Sequence, residues 1–128
     1  MLKWVQCVRR RPDLTAVEFR RHFRGYGEEL LALGAELGAV RVELSAVPAE
    51  GAHPGWPLGC GSSVPFDGLA EVHFPGSAPD FFEALERPGT KARAERLLTL
   101  QENFADIPHS CSFLASQEVE VSFPPACA

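Results

Sequence analysis

A chain of 128 residues with a net charge of −5 fits one domain that can bury a core without metal ions or disulfides. The acidic balance argues against general attraction to nucleic acid or to anionic membranes. No apolar run approaches the roughly 20 residues of a membrane span, and the N-terminus lacks the pattern of a signal peptide. We therefore expect a cytoplasmic protein that binds neither nucleic acid nor membrane.

The cysteines give no sign of a metal site. Cys7, Cys60, Cys111 and Cys127 are scattered, without the paired spacing of a zinc ligand set. In a reducing cytosol they are predicted to be free thiols. Motifs for nucleotides, flavins and catalytic metals are also missing from the sequence, so no cofactor and no metal are expected.

The first half of the chain predicts a strand, a long helix and a second strand. After a strand over 2–9, Thr15 and Glu18 form the pattern of a capping box. Apolar residues then recur at helical spacing until Gly38, and a strand over 39–47 follows. Gly25 and Gly27 interrupt the helical pattern midway and predict a kink or a local break there.

Residues 48–66 are rich in glycine and proline and predict a long loop inside a single domain spanning 1–128. Loops of this length are often lids or binding loops. His53 and Trp56, stiffened by neighbouring prolines, would suit capping a planar ligand. A loop that only covers the sheet edge is the alternative.

The second half repeats the strand–helix–strand order. A strand over 69–74 alternates, with Ala70, Val72 and Phe74 facing one way. Ser77 and Asp80 predict the start of a helix, Pro88 interrupts it, and a last strand is expected over 111–121. Two such halves predict an α+β fold, a split βαβ sheet with both helices on one face.

The sheet face without helices is predicted to carry polar groups. Arg41 and Glu43 would share it with Leu69, Glu71 and His73. If this face is buried, a second subunit must bury it, and the polar side chains then need partners.

Three segments together resemble the EthD family: LKWVQCVRRRPDLTAVEFRRHFR, DGLAEVHF and ENFAD…FLASQEVEV. The resemblance implies a ferredoxin-like βαββαβ protomer that forms a homodimeric α/β barrel. It also implies a small, flat substrate, because relatives of this barrel include polyketide cyclases, isomerases and cofactor-free monooxygenases. Gly27 stands where many family members have a histidine on the first helix, so this chain either uses another acid–base group or does not carry out the usual chemistry.

His73 is the leading catalytic candidate, because a neutral imidazole can accept a proton near pH 7. Glu71, two residues away on the same face, would orient it, and Tyr26 or His109 would donate to a developing oxyanion. The competing interpretations are a structural His73–Glu71 pair, a core tyrosine and an exposed loop histidine.

Arg41 and Glu43 are predicted to contact substrate beside His53 and Trp56, although Arg41 could instead simply neutralise a glutamate. The leading hypothesis is a cofactor-independent cyclase, dehydratase or isomerase acting on a small aromatic or polyketide-like molecule. One alternative is a cofactor-free oxygenase of a hydroxylated aromatic. The other is a non-catalytic small-molecule binding or accessory protein of a biosynthetic or degradation pathway.

Overall fold

The computed structural model describes residues 1–48 and 66–126. Along the chain come β1 (Leu2–Val8), α1 (Ala16–Leu37), β2 (Arg41–Ala46), β3 (Gly68–Phe74), α2 (Ala78–Leu85), α3 (Pro88–Gln101), a 3₁₀ turn (Ile107–His109) and β4 (Cys111–Ser116). The four strands form one antiparallel sheet in the order β2-β3-β1-β4. This is the ferredoxin-like βαββαβ arrangement, and the predicted α+β fold class is confirmed.

Local sequence signals set where the helices begin and end. The Thr15 hydroxyl accepts a hydrogen bond from the backbone N–H of Glu18, and the Glu18 carboxylate accepts one from the backbone N–H of Thr15. Ser77 and Asp80 form the same pair of bonds at the start of α2. Gly38 ends α1 in the left-handed conformation, at φ 79°, which a glycine adopts without strain.

Two sequence expectations about the elements are wrong. Helix α1 runs without interruption through Gly25 and Gly27, because its apolar face stays packed on the sheet across both. The last strand ends at Ser116 instead of reaching residue 121. Gln117 still donates to the carbonyl of Met1, and residues 118–126 form no strand.

The core lies between the helices and one face of the sheet. Its centre is an aromatic cluster of Phe19, Phe23, Tyr26 and Phe104, with ring centroids 5.2–6.2 Å apart. From the sheet, Ala70, Val72 and Phe74 complete it, as their alternation predicted. Helix α1 packs on β2 and β3, and no helix of the described residues lies on the opposite face of the sheet.

Two glycines of α1 provide a stability test. A Cβ at Gly25 would meet nothing within 4 Å, whereas a Cβ at Gly27 would lie 2.7 Å from Leu44 Cδ2. We expect Gly25→Ala to raise the free energy of unfolding by about 1 kcal/mol through helix propensity. Gly27→Ala is the matched control. Its gain in helix propensity should be offset by the cost of displacing the Leu44 side chain. Urea unfolding of both variants measures this, and equal gains would contradict the packing described.

Candidate functional site

The face of the sheet without helices carries a compact polar cluster, which we call the open-face cluster: Arg41, Glu43, Glu71 and His73. Pairing between strands brings Arg41 level with His73 and Glu43 level with Glu71. A carboxylate oxygen of each glutamate and a ring nitrogen of His73 all lie within 4.8 Å of one another. The four residues predicted from strand alternation are therefore neighbours.

His73 has an unusual environment within this cluster. Its Nε2 is buried and has no hydrogen-bond partner among the described residues. A buried imidazole nitrogen without a hydrogen-bond partner lowers the stability of the fold, and such atoms are rare in native proteins. Lys3 on β1 and Arg41 on β2 are both level with His73, so a basic residue lies beside it on each neighbouring strand.

Arg41 neutralises one of the two carboxylates. Its Nε forms an ion pair with Glu43 Oε1, two residues along the same strand face. No hydrogen bond or ion pair is found for Glu71 among the described residues, although it is half-buried. The carboxylate nearest to His73 in sequence is thus the one that remains available to it.

The open-face cluster also contains the chemical types that bind divalent metals. The Glu43 carboxylate already forms an ion pair with Arg41. A metal ion could bind this carboxylate only by displacing the guanidinium. With Glu43 engaged, Glu71 and His73 offer two ligands, fewer than the three that catalytic zinc sites use. The geometry therefore favours proton transfer over metal binding.

Tyr26 lies on the other side of the sheet. Its buried hydroxyl donates to Gln6 Oε1 at 2.6 Å and accepts from Gln101 Nε2 at 3.0 Å. Burial raises the pKa of this phenol, and the bonds from Gln101 and to Gln6 partly oppose that. The structure does not bring Tyr26 together with His73.

His109 is also separate from the open-face cluster. Its Nδ1 lies 2.9 Å from Asp106 Oδ2 in the 3₁₀ turn, and the side chain is 70% exposed. Ala115 is the residue of β4 that is level with Lys3 and His73. Cys111, the first residue of β4, lies four residues before Ala115, which is about 13 Å along the strand. His109 precedes even that point. His53 and Trp56 lie outside the described residues.

A second polar feature, which sequence reasoning missed, is a small cavity on the helix side. Its volume is about 190 Å³, and Gln6, Gln101, Ser110 and Ser112 contribute polar lining. Gln6 is 5% exposed and occupies a helix-facing position of β1, where an apolar residue is usual. The sequence signal for this cavity was a glutamine at a position of β1 whose alternation places it on the buried face.

Gly27, the position where the family resemblance implies a histidine, faces β2. A Cβ there would lie 2.7 Å from Leu44 Cδ2 and 3.3 Å from Leu44 Cδ1. Any larger side chain would have to displace Leu44. The space next to Gly27 is filled by the side chain of Leu44.

The Tyr26 network gives a stability prediction. Tyr26→Phe removes the donor to buried Gln6, and we expect the free energy of unfolding to fall by roughly 1–3 kcal/mol. The double variant Tyr26→Phe/Gln6→Leu removes both partners and should recover part of that loss. Chemical denaturation measures both, and additive losses would contradict a coupled pair.

No family model matches the chain, and no curated protein matches it significantly. No helix among the described residues is long and apolar enough to cross a membrane.

Solved structures share the fold. A dimeric protein of ferredoxin-like fold and unknown function from Bacteroides fragilis has a TM-score of 0.58 and 13% identity, covering 91% of this chain and 95% of that one. An EthD family protein from Bacillus halodurans has a TM-score of 0.57 and 14% identity, covering 92% and 99%. SnoaB of Streptomyces nogalater, a cofactor-independent oxygenase, has a TM-score of 0.50 and 16% identity, covering 94% and 95%. The chain is thus similar in fold to EthD and dimeric ferredoxin-like proteins.

Proposed function

We propose that the chain is a homodimeric, cofactor-independent enzyme that acts on a small aromatic or polyketide-like molecule by acid–base chemistry. The observation that carries the proposal is the buried Nε2 of His73 on the open face of the sheet, which has no hydrogen-bond partner in the described part of the chain. A ring nitrogen that no described protein group occupies is available to exchange a proton with a substrate within hydrogen-bond reach. The sequence resemblance to EthD proteins and the shared fold support the same assignment.

A second copy of the chain is the proposed cover for the open face. The helices lie on the other side, and Phe113 on this face is 48% exposed. The similar protein from Bacteroides fragilis is dimeric. Packing two such faces together would exclude water from the open-face cluster and leave a pocket between the sheets, which strengthens electrostatic interactions inside it.

In this pocket each polar residue has a proposed role. His73 removes or supplies the proton, and Glu71 orients the imidazole and balances its charge. Arg41 and Lys3 border His73 and would stabilise an enolate or phenolate as charge develops on the substrate oxygen. Cyclisation, dehydration and isomerisation next to a carbonyl all pass through such an anion.

The remaining predicted site residues have subordinate places in the proposal. Glu43 holds Arg41 in position through their ion pair. Tyr26 and His109 would act only through contacts away from the open-face cluster. His53 and Trp56 stay predicted substrate contacts. A cytoplasmic location also stays a proposal.

Replacement of His73 tests the catalytic assignment. A thermal-shift screen of hydroxylated aromatic and polyketide-like compounds would first identify ligands for turnover assays. We expect His73→Gln to lower kcat by roughly 10²–10⁴-fold, the usual contribution of one general acid or base. His22→Gln, an exposed histidine on α1, is the matched control and should keep full activity. Full turnover by His73→Gln would refute the assignment, and binding without turnover by the wild-type chain would favour a binding protein.

The dimer has its own test. Phe113→Asp places a charge on the open face and should shift the protein to a monomer in size-exclusion chromatography with light scattering. Phe82→Asp is the control, because Phe82 is 55% exposed on α2, on the helix side of the sheet. A Phe113→Asp variant that stays dimeric would argue against this interface.

A cofactor-free oxygenase is the second candidate, since SnoaB, a cofactor-independent oxygenase, shares the fold over most of both chains. In that reaction His73 would deprotonate a hydroxylated aromatic, whose anion then reacts with oxygen. Oxygen uptake during turnover separates the two candidates, because cyclisation, dehydration and isomerisation consume none.

A further inference from the structure

Two cysteines that are 104 positions apart in the sequence face each other across neighbouring strands. Cys7 of β1 is directly opposite Cys111 of β4, on the open face of the sheet. Both are free thiols in the structure, Cys7 half-buried and Cys111 exposed on the edge strand. Neither takes part in the proposed acid–base chemistry.

The strand pairing determines the geometry of the pair. Gln117 donates to the carbonyl of Met1, so Met1 and Gln117 form a hydrogen-bonded pair of the ladder. In an antiparallel ladder, hydrogen-bonded pairs alternate with pairs that are not hydrogen-bonded. Cys7 and Cys111 lie six residues along the ladder from Met1 and Gln117, an even number, so they also form a hydrogen-bonded pair. Its Cα atoms are therefore about 5.5 Å apart, within the range of about 4.4–6.8 Å that disulfides span.

The two side chains already interact directly. Burial raises the pKa of the Cys7 thiol most, and the charge and the hydrogen bond of Cys111 raise it further. Glu71 adds a smaller effect in the same direction. Cys7 is thus held as a thiol beside a more accessible partner, an arrangement in which the exposed sulfur reacts first with a reagent from solution.

We propose that Cys7 and Cys111 form a reversible dithiol–disulfide site that reacts with low-molecular-weight disulfides such as oxidised glutathione. The Cys111 thiolate attacks one sulfur of the oxidant, forming a mixed disulfide and releasing one reduced thiol. Cys7 then loses its proton and attacks the Cys111 sulfur, releasing the second reduced thiol. Two protein thiols are oxidised, one oxidant disulfide is reduced to two thiols, and the site becomes a cross-strand disulfide.

This inference does not depend on the proposed chemistry at His73, but it requires that Cys111, the first residue of edge strand β4, stays accessible to solvent in the proposed dimer. It concerns the opposite end of β1 from Lys3, level with Leu69 and away from His73. An exposed disulfide on an edge strand is expected to be readily reduced again, as regulatory disulfides in reducing compartments are. Closing it would fix β4 to β1 at the end of the strand where the chain enters from the 3₁₀ turn.

The test uses the full chain with Cys60 and Cys127 replaced by serine, so that only the pair can react. After incubation with oxidised glutathione, intact mass and peptide mapping should show one Cys7–Cys111 link and no retained glutathione. The further variant Cys7→Ser should instead accumulate one glutathione on Cys111. The oxidised pair should unfold at higher urea than its reduced form, and this shift should be absent in Cys7→Ser.

Two results would overturn the proposal. One is stable glutathione on Cys111 while Cys7 is present, which would mean that the sulfurs cannot meet. The other is an unmodified pair under conditions in which Cys7→Ser is modified at Cys111. Circular dichroism of each variant checks that the fold is retained, and Cys111→Ser provides a second variant if Cys7→Ser does not fold.

Discussion

In the part of the chain that the structure describes, helices cover one face of the four-stranded sheet and leave the other bare, and the placement of the polar groups follows from this asymmetry. Side chains of a strand alternate between the faces, so every residue of β3 is either packed under α1 or left on the open face. Ala70, Val72 and Phe74 are buried under the helices. Glu71 and His73 are consequently on the open face, where no described residue forms a hydrogen bond or ion pair with their side chains, and we propose that a second subunit or a ligand satisfies them.

The two faces divide the polar groups of the molecule. On the helix side, Tyr26, Gln6 and Gln101 satisfy each other in a closed hydrogen-bond network around a small cavity. On the open face, His73 Nε2 has no hydrogen-bond partner within residues 1–48 and 66–126. A satisfied network stabilises a core, whereas an unsatisfied donor or acceptor has a free-energy cost that function can explain. This contrast is why the proposed chemistry is assigned to the open face.

Sequence patterns predicted the fold well wherever the physical signal is local. Capping residues Thr15 and Ser77, the left-handed Gly38 and the alternation of β3 each act within a few residues. The open-face cluster was predictable for the same reason, because period-two alternation assigns faces without knowledge of the partner strands.

Features that depend on register or packing were not accessible from the sequence. The pairing of Cys7 with Cys111 follows from strand order and register, which no local pattern encodes. Tyr26 shows a helical period that fits both a core residue and a catalytic donor, and only the hydrogen bonds to its hydroxyl reveal its surroundings. The end of β4 depends on where β1 begins, at the other end of the chain.

The central claim is that ligand binds at His73 on the open face. It is tested most directly by NMR of the imidazole carbons and side-chain amides, titrated with a ligand from the compound screen. The account predicts that the His73 resonance shifts while those of His22 and His109 stay in place. Shifts confined to the side-chain amides of Gln6 and Gln101, with His73 unmoved, would place the ligand in the helix-side cavity and contradict the account.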